Sequence, residues 1–228
     1  YECAARGRSR HRRELGRGPL TGMIRIWGRL TSLNSIKVLW CLDELRLDYT
    51  LELCGFGYSS LDDPAFVALN PNRMVPVIAE DGFVLWESHA ILRYLGAKYG
   101  NGSLYPQDLQ IRANADRWMD WMVQNIKYRL RWVFHNRYRP DSPDGDAKAA
   151  EKGLAEIGEW WQLLDRHLEL NDYIAGEDFT IGDIPLGCAV YRYREMVPER
   201  PDMPFLDAWY QRLTERHAYK RHVMQPLA

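Results

Sequence analysis

Three short stretches of the sequence carry side chains that could bind a small peptide and hold a negative charge. The first, T-S-L-N-S at residues 31–35, lies between a predicted strand and the helix that follows it. Ser32 and Asn34 would both stand at the N-terminus of that helix, where hydrogen-bond donors and the helix dipole favour an anion. This stretch contains no cysteine, so it suits a thiolate brought in by a ligand. Helix capping by Ser32 alone is the alternative interpretation.

The second stretch, N-P-N-R-M-V-P at residues 70–76, places a proline directly before a predicted strand. Proline is the residue at which cis peptide bonds occur in proteins, so a cis bond is one interpretation of this stretch. A cis bond would leave the backbone N–H and C=O of Val75 facing outward, able to pair with an extended peptide as an added strand would. The alternative is an ordinary turn.

The third stretch, W-E-S-H-A-I at residues 86–91, joins the end of a predicted strand to the start of a helix. Ser88 is expected to cap that helix and, together with the first backbone N–H groups, to hold a carboxylate. Glu87 is placed to receive an ammonium group. A site that holds a carboxylate beside an ammonium matches the α-amino acid end of a small peptide. The alternative is a plain helix cap with a solvated Glu87.

Hydrophobic periodicity predicts the elements that position these stretches. The pair Asp81-Gly82 between two apolar runs is a strong signal for an antiparallel hairpin, whereas the first β-α-β unit requires a parallel pair. A mixed four-stranded sheet with helices packed on it is therefore predicted. The predicted elements are strands 24–27, 49–53, 75–79 and 83–86 and helices 35–45, 63–69 and 88–99.

The pattern changes after residue 100. Residues 101–109 form a linker by composition, and residues 110–228 carry almost exclusively helical periodicity, with apolar faces along 115–133, 154–168, 181–193 and 205–215. An all-helical C-terminal domain is predicted. Residues 1–22 contain six Arg and two Glu without a periodic apolar face, so we expect a flexible leader of non-native origin outside the fold.

Composition excludes several classes of function. The chain has 30 Lys and Arg against 31 Asp and Glu, so its net charge of −1 gives no bulk reason to bind nucleic acid or an anionic membrane. Its apolar runs are too short for a membrane-spanning helix. Four cysteines without a C-x-x-C pair predict neither disulfides nor a metal site, and free thiols favour a cytoplasmic location.

Taken together and in this order, the three stretches resemble those of the glutathione S-transferase family, especially its bacterial theta- and nu-like members. The matching patterns are Ser32-x-Asn34-x-x-Lys37-Val38, Asn70-Pro71-Asn72-x-x-Val75-Pro76 and Glu87-Ser88-x-Ala90-Ile91. The run F-T-I-G-D at 179–183 resembles the family's buried capping motif, in which Thr180 caps a helix and Asp183 reaches back. The resemblance implies a thioredoxin-like, glutathione-binding domain at residues 23–100, an α-helical bundle at 110–228 and a homodimer.

The resemblance also implies roles in binding glutathione, which would be the co-substrate. Ser32 is the first choice to hydrogen-bond the glutathione sulfur and Asn34 the second; the cysteinyl part would lie against the backbone of Met74 and Val75. Glu87 and Ser88 would hold the γ-glutamyl end. In place of the more usual Gly and Lys, this sequence has Arg73 and Met74.

Simple energetics support thiol activation by a serine. A free thiol has a pKa of about 8.5, and lowering it by roughly two units requires about 2.7 kcal/mol. A hydrogen bond from a hydroxyl to charged sulfur contributes about 1.5–3 kcal/mol, and a helix N-terminus adds about 0.3–1 kcal/mol. Ser32 with its helix is therefore sufficient without a general base.

The electrophile pocket is expected, by the family's layout, along the basic run that contains Arg129, Arg131, Arg137 and Arg139. The residues predicted to line it are Arg29, Arg131, Trp132 and His135. Such a pocket indicates an anionic co-substrate, for example a haloacid; a solvated or intersubunit charged face is the alternative. Two other functions stay open: a glutathione-dependent disulfide or peroxide reductase, and a non-catalytic interaction module with the same fold.

Overall fold

The computed structural model describes residues 23–142 and 145–227, so the predicted leader at 1–22 lies outside the described residues. The elements before residue 100 occur in the predicted order. They are β1 (Ile24–Gly28), α1 (Leu33–Glu44), β2 (Tyr49–Leu53), α2 (Pro64–Leu69), β3 (Val77–Glu80), β4 (Phe83–Trp86) and α3 (Ser88–Tyr99). Only β3 and α1 depart from the predicted bounds by as much as two residues.

The four strands form one mixed sheet in the order β2-β1-β3-β4. Strands β1 and β2 are parallel, with Ile24 opposite Tyr49, whereas β1 pairs with β3 and β3 with β4 in antiparallel fashion. The β3–β4 hairpin turns at Asp81 and Gly82, both at positive φ, as the D-G signal predicts. The mixed sheet is confirmed; its central strand β1 leads into the loop that carries the first stretch, and its central strand β3 directly follows the second stretch.

The rest of the described chain is helical. Its elements are α4 (Leu109–Met122), a π-helical turn (Val123–Lys127), α5 (Tyr128–Tyr138), α6 (Ala147–Leu168), α7 (Asp183–Met196), α8 (Pro204–Thr214) and α9 (His217–His222). The sequence pattern did not indicate the π-helical turn or α9. Among the described helices, none is long and apolar enough to cross a membrane.

Helix α1 connects the sheet to the helical part. Its Trp40 is fully buried, and the indole packs against Phe179 and Tyr219, with ring centroids 5.6 and 4.8 Å away. At the C-terminal end of α1, Glu44 accepts hydrogen bonds from Trp40 Nε1 at 2.8 Å and from Arg216 Nη2 at 2.7 Å. These contacts fix α1, and with it the Ser32 end, against the helical domain.

The capping motif before α7 is confirmed. The Asp183 carboxylate accepts from the Thr180 backbone N–H at 2.8 Å, and the Gly182 N–H donates to the Thr180 hydroxyl at 3.2 Å. The same carboxylate also accepts from the Ile174 N–H at 2.9 Å and from Trp209 Nε1 at 2.8 Å. Burial raises the pKa of Asp183 to about 6, although these hydrogen bonds oppose the rise.

Asp183→Ala should lower the free energy of unfolding by at least about 3 kcal/mol, because three buried donors lose their acceptor at about 1–3 kcal/mol each. Urea unfolding followed by circular dichroism measures the change. The matched control is Asp172→Ala, a mostly exposed aspartate, which should cost under about 0.5 kcal/mol. Equal costs for the two variants would contradict the structural role of Asp183.

Candidate functional site

A cleft of about 630 Å³, open to solvent, lies between the N-terminus of α1 and helices α5 and α7. The lining residues are Arg29, Thr31, Ser32, Leu33, Asn34, Lys127, Leu130, Arg131, Phe134, His135, Arg139 and Arg192. The cleft therefore brings together the first sequence stretch and residues of the helical domain.

Ser32 is the N-cap residue of α1, and its extended backbone (φ −85°, ψ 117°) turns the chain into the helix. Its hydroxyl oxygen accepts from the Ser35 backbone N–H at a long 3.4 Å. The capping interpretation is thus correct, but it uses only the acceptor side of the hydroxyl. The hydroxyl proton remains available to donate to an anion in the cleft.

Asn34 is held in one orientation by two neighbours. Its Oδ1 atom accepts from Lys37 Nζ at 3.0 Å and from the Ser88 hydroxyl at 3.5 Å. An ammonium group can only donate, so the amide oxygen must face Lys37. The Nδ2 group of Asn34 is then the donor left for a ligand.

Ser88 departs from its predicted place as a helix cap. It is the first residue of α3 and is buried, while the N-cap position falls on Glu87, whose side chain makes no capping hydrogen bond. Instead of capping α3, the Ser88 hydroxyl donates a tertiary hydrogen bond to Asn34, 54 residues away in the sequence. This bond brings the first and third stretches together.

Glu87 is exposed and has a backbone of φ 73°, ψ 111°, a conformation that costs a non-glycine residue about 1–3 kcal/mol. Strain of this kind persists where the surroundings hold it, and such positions cluster at binding sites. The Glu87 carboxylate stands at the start of α3, next to Ser88. This is the side on which the sequence predicts an ammonium group of the ligand.

The second stretch has the predicted cis bond, between Val75 and Pro76. Among the described residues, no backbone group hydrogen-bonds to the N–H or C=O of Val75. The loop is braced by buried Asn70, whose Nδ2 donates to the Met74 carbonyl at 2.8 Å and whose Oδ1 accepts from the Asn72 N–H at 3.0 Å. The Met74 side chain is exposed.

The cleft is electropositive. Five of its lining side chains are basic, namely Arg29, Lys127, Arg131, Arg139 and Arg192, and no carboxylate lines it among the described residues. Half-buried Arg192 donates to the Thr31 carbonyl at 2.8 Å, and its guanidinium lies 4.6 Å from the centroid of the Phe134 ring. Burial lowers the pKa of Arg192 to about 10, so this side chain remains charged at neutral pH.

The structure corrects part of the predicted electrophile pocket. Arg29, Arg131 and His135 line the cleft, but Trp132 does not. Two other members of the basic run have structural partners instead. Arg129 Nε pairs with Glu156 Oε2 at 2.6 Å, and Arg137 Nη1 donates to the Met196 carbonyl at 2.6 Å.

The sequence analysis did not predict that Lys127, Phe134 and Arg192 line the cleft. Lys127 lies four residues before Arg131 and Phe134 three residues after it, so helical spacing places all three on one face. Once Arg131 was taken as a lining residue, this spacing could have indicated the other two. Arg192 has no such signal, because it is about 160 residues from Ser32 and only the packing of α7 against α1 brings them together.

Comparisons with known proteins agree with this architecture. A model of the glutathione S-transferase N-terminal domain matches residues 31–98, and one of the C-terminal domain matches residues 121–217. Glutathione S-transferase GstB of Escherichia coli K12 is 36% identical over 208 residues, which are 90% of this chain and 100% of GstB.

A solved structure and a second curated relative are also similar. The theta class glutathione S-transferase of Xanthomonas axonopodis pv. citri, solved with glutathione bound, has a TM-score of 0.84 and 42% identity, over 91% of this chain and 100% of that one. The disulfide-bond oxidoreductase YfcG of Escherichia coli K12 is 27% identical over 81% of this chain and 87% of YfcG.

The strain at Glu87 gives a test that needs no ligand. Glu87→Gly should unfold with a free energy about 1 kcal/mol or more above that of Glu87→Ala, because only glycine adopts positive φ without cost. Chemical denaturation of the two variants measures the difference. The alanine variant is the matched control, since both changes remove the same carboxylate. Equal stabilities would contradict backbone strain at this position.

Proposed function

The chain belongs to the glutathione S-transferase family, a family of transferases, and we propose that it ionises the glutathione thiol at the N-terminus of α1 for attack on a small electrophile. The convergence of two donors on the cleft carries this proposal. The Ser32 hydroxyl and the Asn34 amide stand at a helix N-terminus, where a sulfur anion gains from both hydrogen bonds and the helix dipole.

The remainder of the peptide would occupy the groups that lie around these donors. The backbone of Val75, without a backbone partner among the described residues and preceded by Met74, would pair with the cysteinyl unit in the manner of an added strand. Glu87 would receive the γ-glutamyl ammonium. The first N–H groups of α3, with the Ser88 hydroxyl turned from its long bond to Asn34, would hold the neighbouring carboxylate.

In the proposed reaction, the bound thiol releases its proton to solvent, and the resulting thiolate attacks an electrophilic carbon. The new carbon–sulfur bond forms as the bond to the leaving group breaks, and the leaving group departs with the electron pair. Cys41, Cys54 and Cys188 do not supply the sulfur, because all three are buried and burial raises the pKa of each thiol.

The electrophile is proposed to be a small anion, such as a haloacid, which would lose halide. The support is the set of basic side chains around the cleft, at Arg29, Lys127, Arg131 and Arg192, with His135 at the same wall. Arg29 and Arg192 lie close enough to repel each other, and a bound anion would relieve that repulsion.

A disulfide or peroxide reductase is the second candidate. The similarity to a disulfide-bond oxidoreductase, which extends over 81% of this chain, favours it. A thiolate held by Ser32 and Asn34 could attack a disulfide sulfur as readily as carbon. A non-catalytic interaction module would not need donors at the helix N-terminus together with an unpaired backbone at Val75.

Finer features follow from the family alone. We propose a homodimer in the cytoplasm with a role in detoxification, and we propose no metal, nucleic-acid or membrane partner. Among the described residues, no group of three or more His, Cys, Asp and Glu side chains is arranged to hold a metal ion.

Ser32→Ala should raise the pKa of bound glutathione by about one to two units and lower kcat/KM at pH 6.5 by roughly ten- to a hundredfold, because a charge-assisted hydrogen bond is lost. Ultraviolet absorbance of the bound thiolate, titrated against pH, measures the first quantity. Asn34→Ala ranks the second donor by the same assay. Ser103→Ala, outside the cleft, is the control. An unshifted thiol in the unsubstituted protein would contradict the proposed activation.

The charge of the electrophile is tested with iodoacetate and iodoacetamide, which share a leaving group but differ in charge. Lys127→Met should reduce kcat/KM for iodoacetate about tenfold and for iodoacetamide less than twofold, since one cation near the substrate is worth roughly 1.4 kcal/mol in such a site. Lys152→Met, an exposed lysine on α6, is the matched control. Equal losses for the two reagents would refute an anion pocket at Lys127.

A further inference from the structure

A fully buried lysine lies directly behind the donors of the cleft. Lys37, in the second turn of α1, is 1% exposed, and no salt bridge joins it to a carboxylate among the described residues. Its ammonium group has two neutral neighbours, Asn34 Oδ1 at 3.0 Å and His89 Nε2 at 3.2 Å. A buried cation without a carboxylate partner destabilises the folded state, and Lys37 has no role in the reaction proposed for the cleft.

Every surrounding element sets the charge environment of Lys37. From α3, His89 stays neutral, because burial and the nearby cations Lys37 and Arg93 depress its pKa. Lys127 of the π-helical turn and Arg192 of α7 repel the ammonium, while Glu87 attracts it and Cys188 of α7 is a buried thiol. Burial, with these repulsions, lowers the pKa of Lys37 to about 7 from an ordinary 10.5.

The contact with Asn34 connects this charge to the site. The ammonium donates to the amide oxygen, so it fixes the amide with Nδ2 as the ligand-facing donor. A positive charge on the oxygen side also draws electrons from the amide and strengthens Nδ2 as a donor. His89 accepts from the same ammonium, which implies that its own proton is on Nδ1.

We propose that Lys37 is a positioning residue for the thiolate: its ammonium orients and polarises the Asn34 amide, and supplies the internal positive charge that balances the sulfur anion. This inference rests on the proposed function, since it assigns a counter-charge to the glutathione thiolate. Lys37 touches neither sulfur nor electrophile, and it acts through Asn34.

The arrangement couples two protonation steps. Burial makes the Lys37 ammonium easier to deprotonate than an exposed lysine. A thiolate bound at Ser32 and Asn34 raises the pKa of Lys37 by attraction, so the amine takes up a proton from solvent while the thiol releases one to solvent. The net proton release on glutathione binding is then smaller than the release from the thiol alone.

The test compares Lys37→Met, which keeps much of the side-chain volume and removes the charge, with Lys37→Arg, which keeps a cation. In Lys37→Met the pKa of bound glutathione should rise by about one unit, because an opposite charge at close range lowers a pKa by about 1–3 units. The acid limb of the kcat/KM profile should move by the same amount. In Lys37→Arg the pKa should stay within about 0.3 unit of the unsubstituted protein.

Two further readouts separate charge from structure. S-methylglutathione has no ionisable thiol, so Lys37→Met should change the affinity for it less than twofold. The same substitution should lower the affinity for glutathione near pH 7 several-fold. Thermal unfolding should show Lys37→Met at least as stable as the unsubstituted protein. The stability advantage of Lys37→Met should be largest below pH 7 and should shrink as the pH rises from 7 to 10.5. In that range the unfolded chain binds a proton at Lys37 that the folded protein does not, so raising the pH removes the cost that burial of Lys37 imposes on the unsubstituted protein.

The dependence on Asn34 is tested with a double variant. If Lys37 acts through the amide, the pKa rise caused by Lys37→Met should be at least halved in an Asn34→Ala background. A full rise in that background would contradict action through Asn34.

The outcomes also separate this inference from the proposed function. An unsubstituted protein that binds glutathione with a lowered thiol pKa, while Lys37→Met leaves that pKa unchanged, would overturn only the role of Lys37. No binding of glutathione, or binding with an unshifted thiol, would overturn the proposed function and with it the counter-charge. Equal weakening of glutathione and S-methylglutathione in Lys37→Met would show a structural lysine only.

Discussion

The burial of α1 between the sheet and the helical domain is the constraint on which the rest of the structure depends. Residues 35–42 of this helix are all buried, and contacts run from α1 to α3, α7 and α9. At its C-terminal end, Glu44 accepts hydrogen bonds from the buried Trp40 indole and from Arg216 of the helical domain. Because the helix is held on every side, its N-terminus presents Ser32 and Asn34 at a fixed place, with little ordering left to be done when a ligand binds.

The same burial creates an excess of positive charge. The packing of α1 buries Lys37 and leaves Arg192 half-buried, and no carboxylate lines the cleft among the described residues. Two buried carboxylates elsewhere in the described chain have partners: Glu80 pairs with Lys98, and Asp183 accepts hydrogen bonds from Ile174, Thr180 and Trp209. The buried cation near the cleft lacks the partner that these carboxylates have, and this lowers the free energy of unfolding. Such a cost is expected at a binding site where a bound anion completes the charge balance.

The sequence predicts most of the fold because its signals are local. The strands, the D-G hairpin, the cis bond before Pro76 and the Thr180–Asp183 cap all follow from a few adjacent residues. The site is predicted less completely. Ser88 bonds to Asn34 rather than capping α3, and Arg192 enters the cleft from a helix remote in sequence. Periodicity identifies a buried face, but it does not tell which residue of another element lies opposite.

The two halves of the cleft are built by different means. The side that we propose for the thiol consists of helix ends, backbone groups and an amide braced by Lys37, all within the first hundred residues. The opposite side consists of charged and aromatic side chains on the π-helical turn, α5 and α7. A π-helical turn shifts the helical face that follows it, and here Lys127 at its end lines the cleft. If the proposed roles hold, substitutions on this second wall would change the electrophile while the proposed donors at Ser32 and Asn34 stay in place.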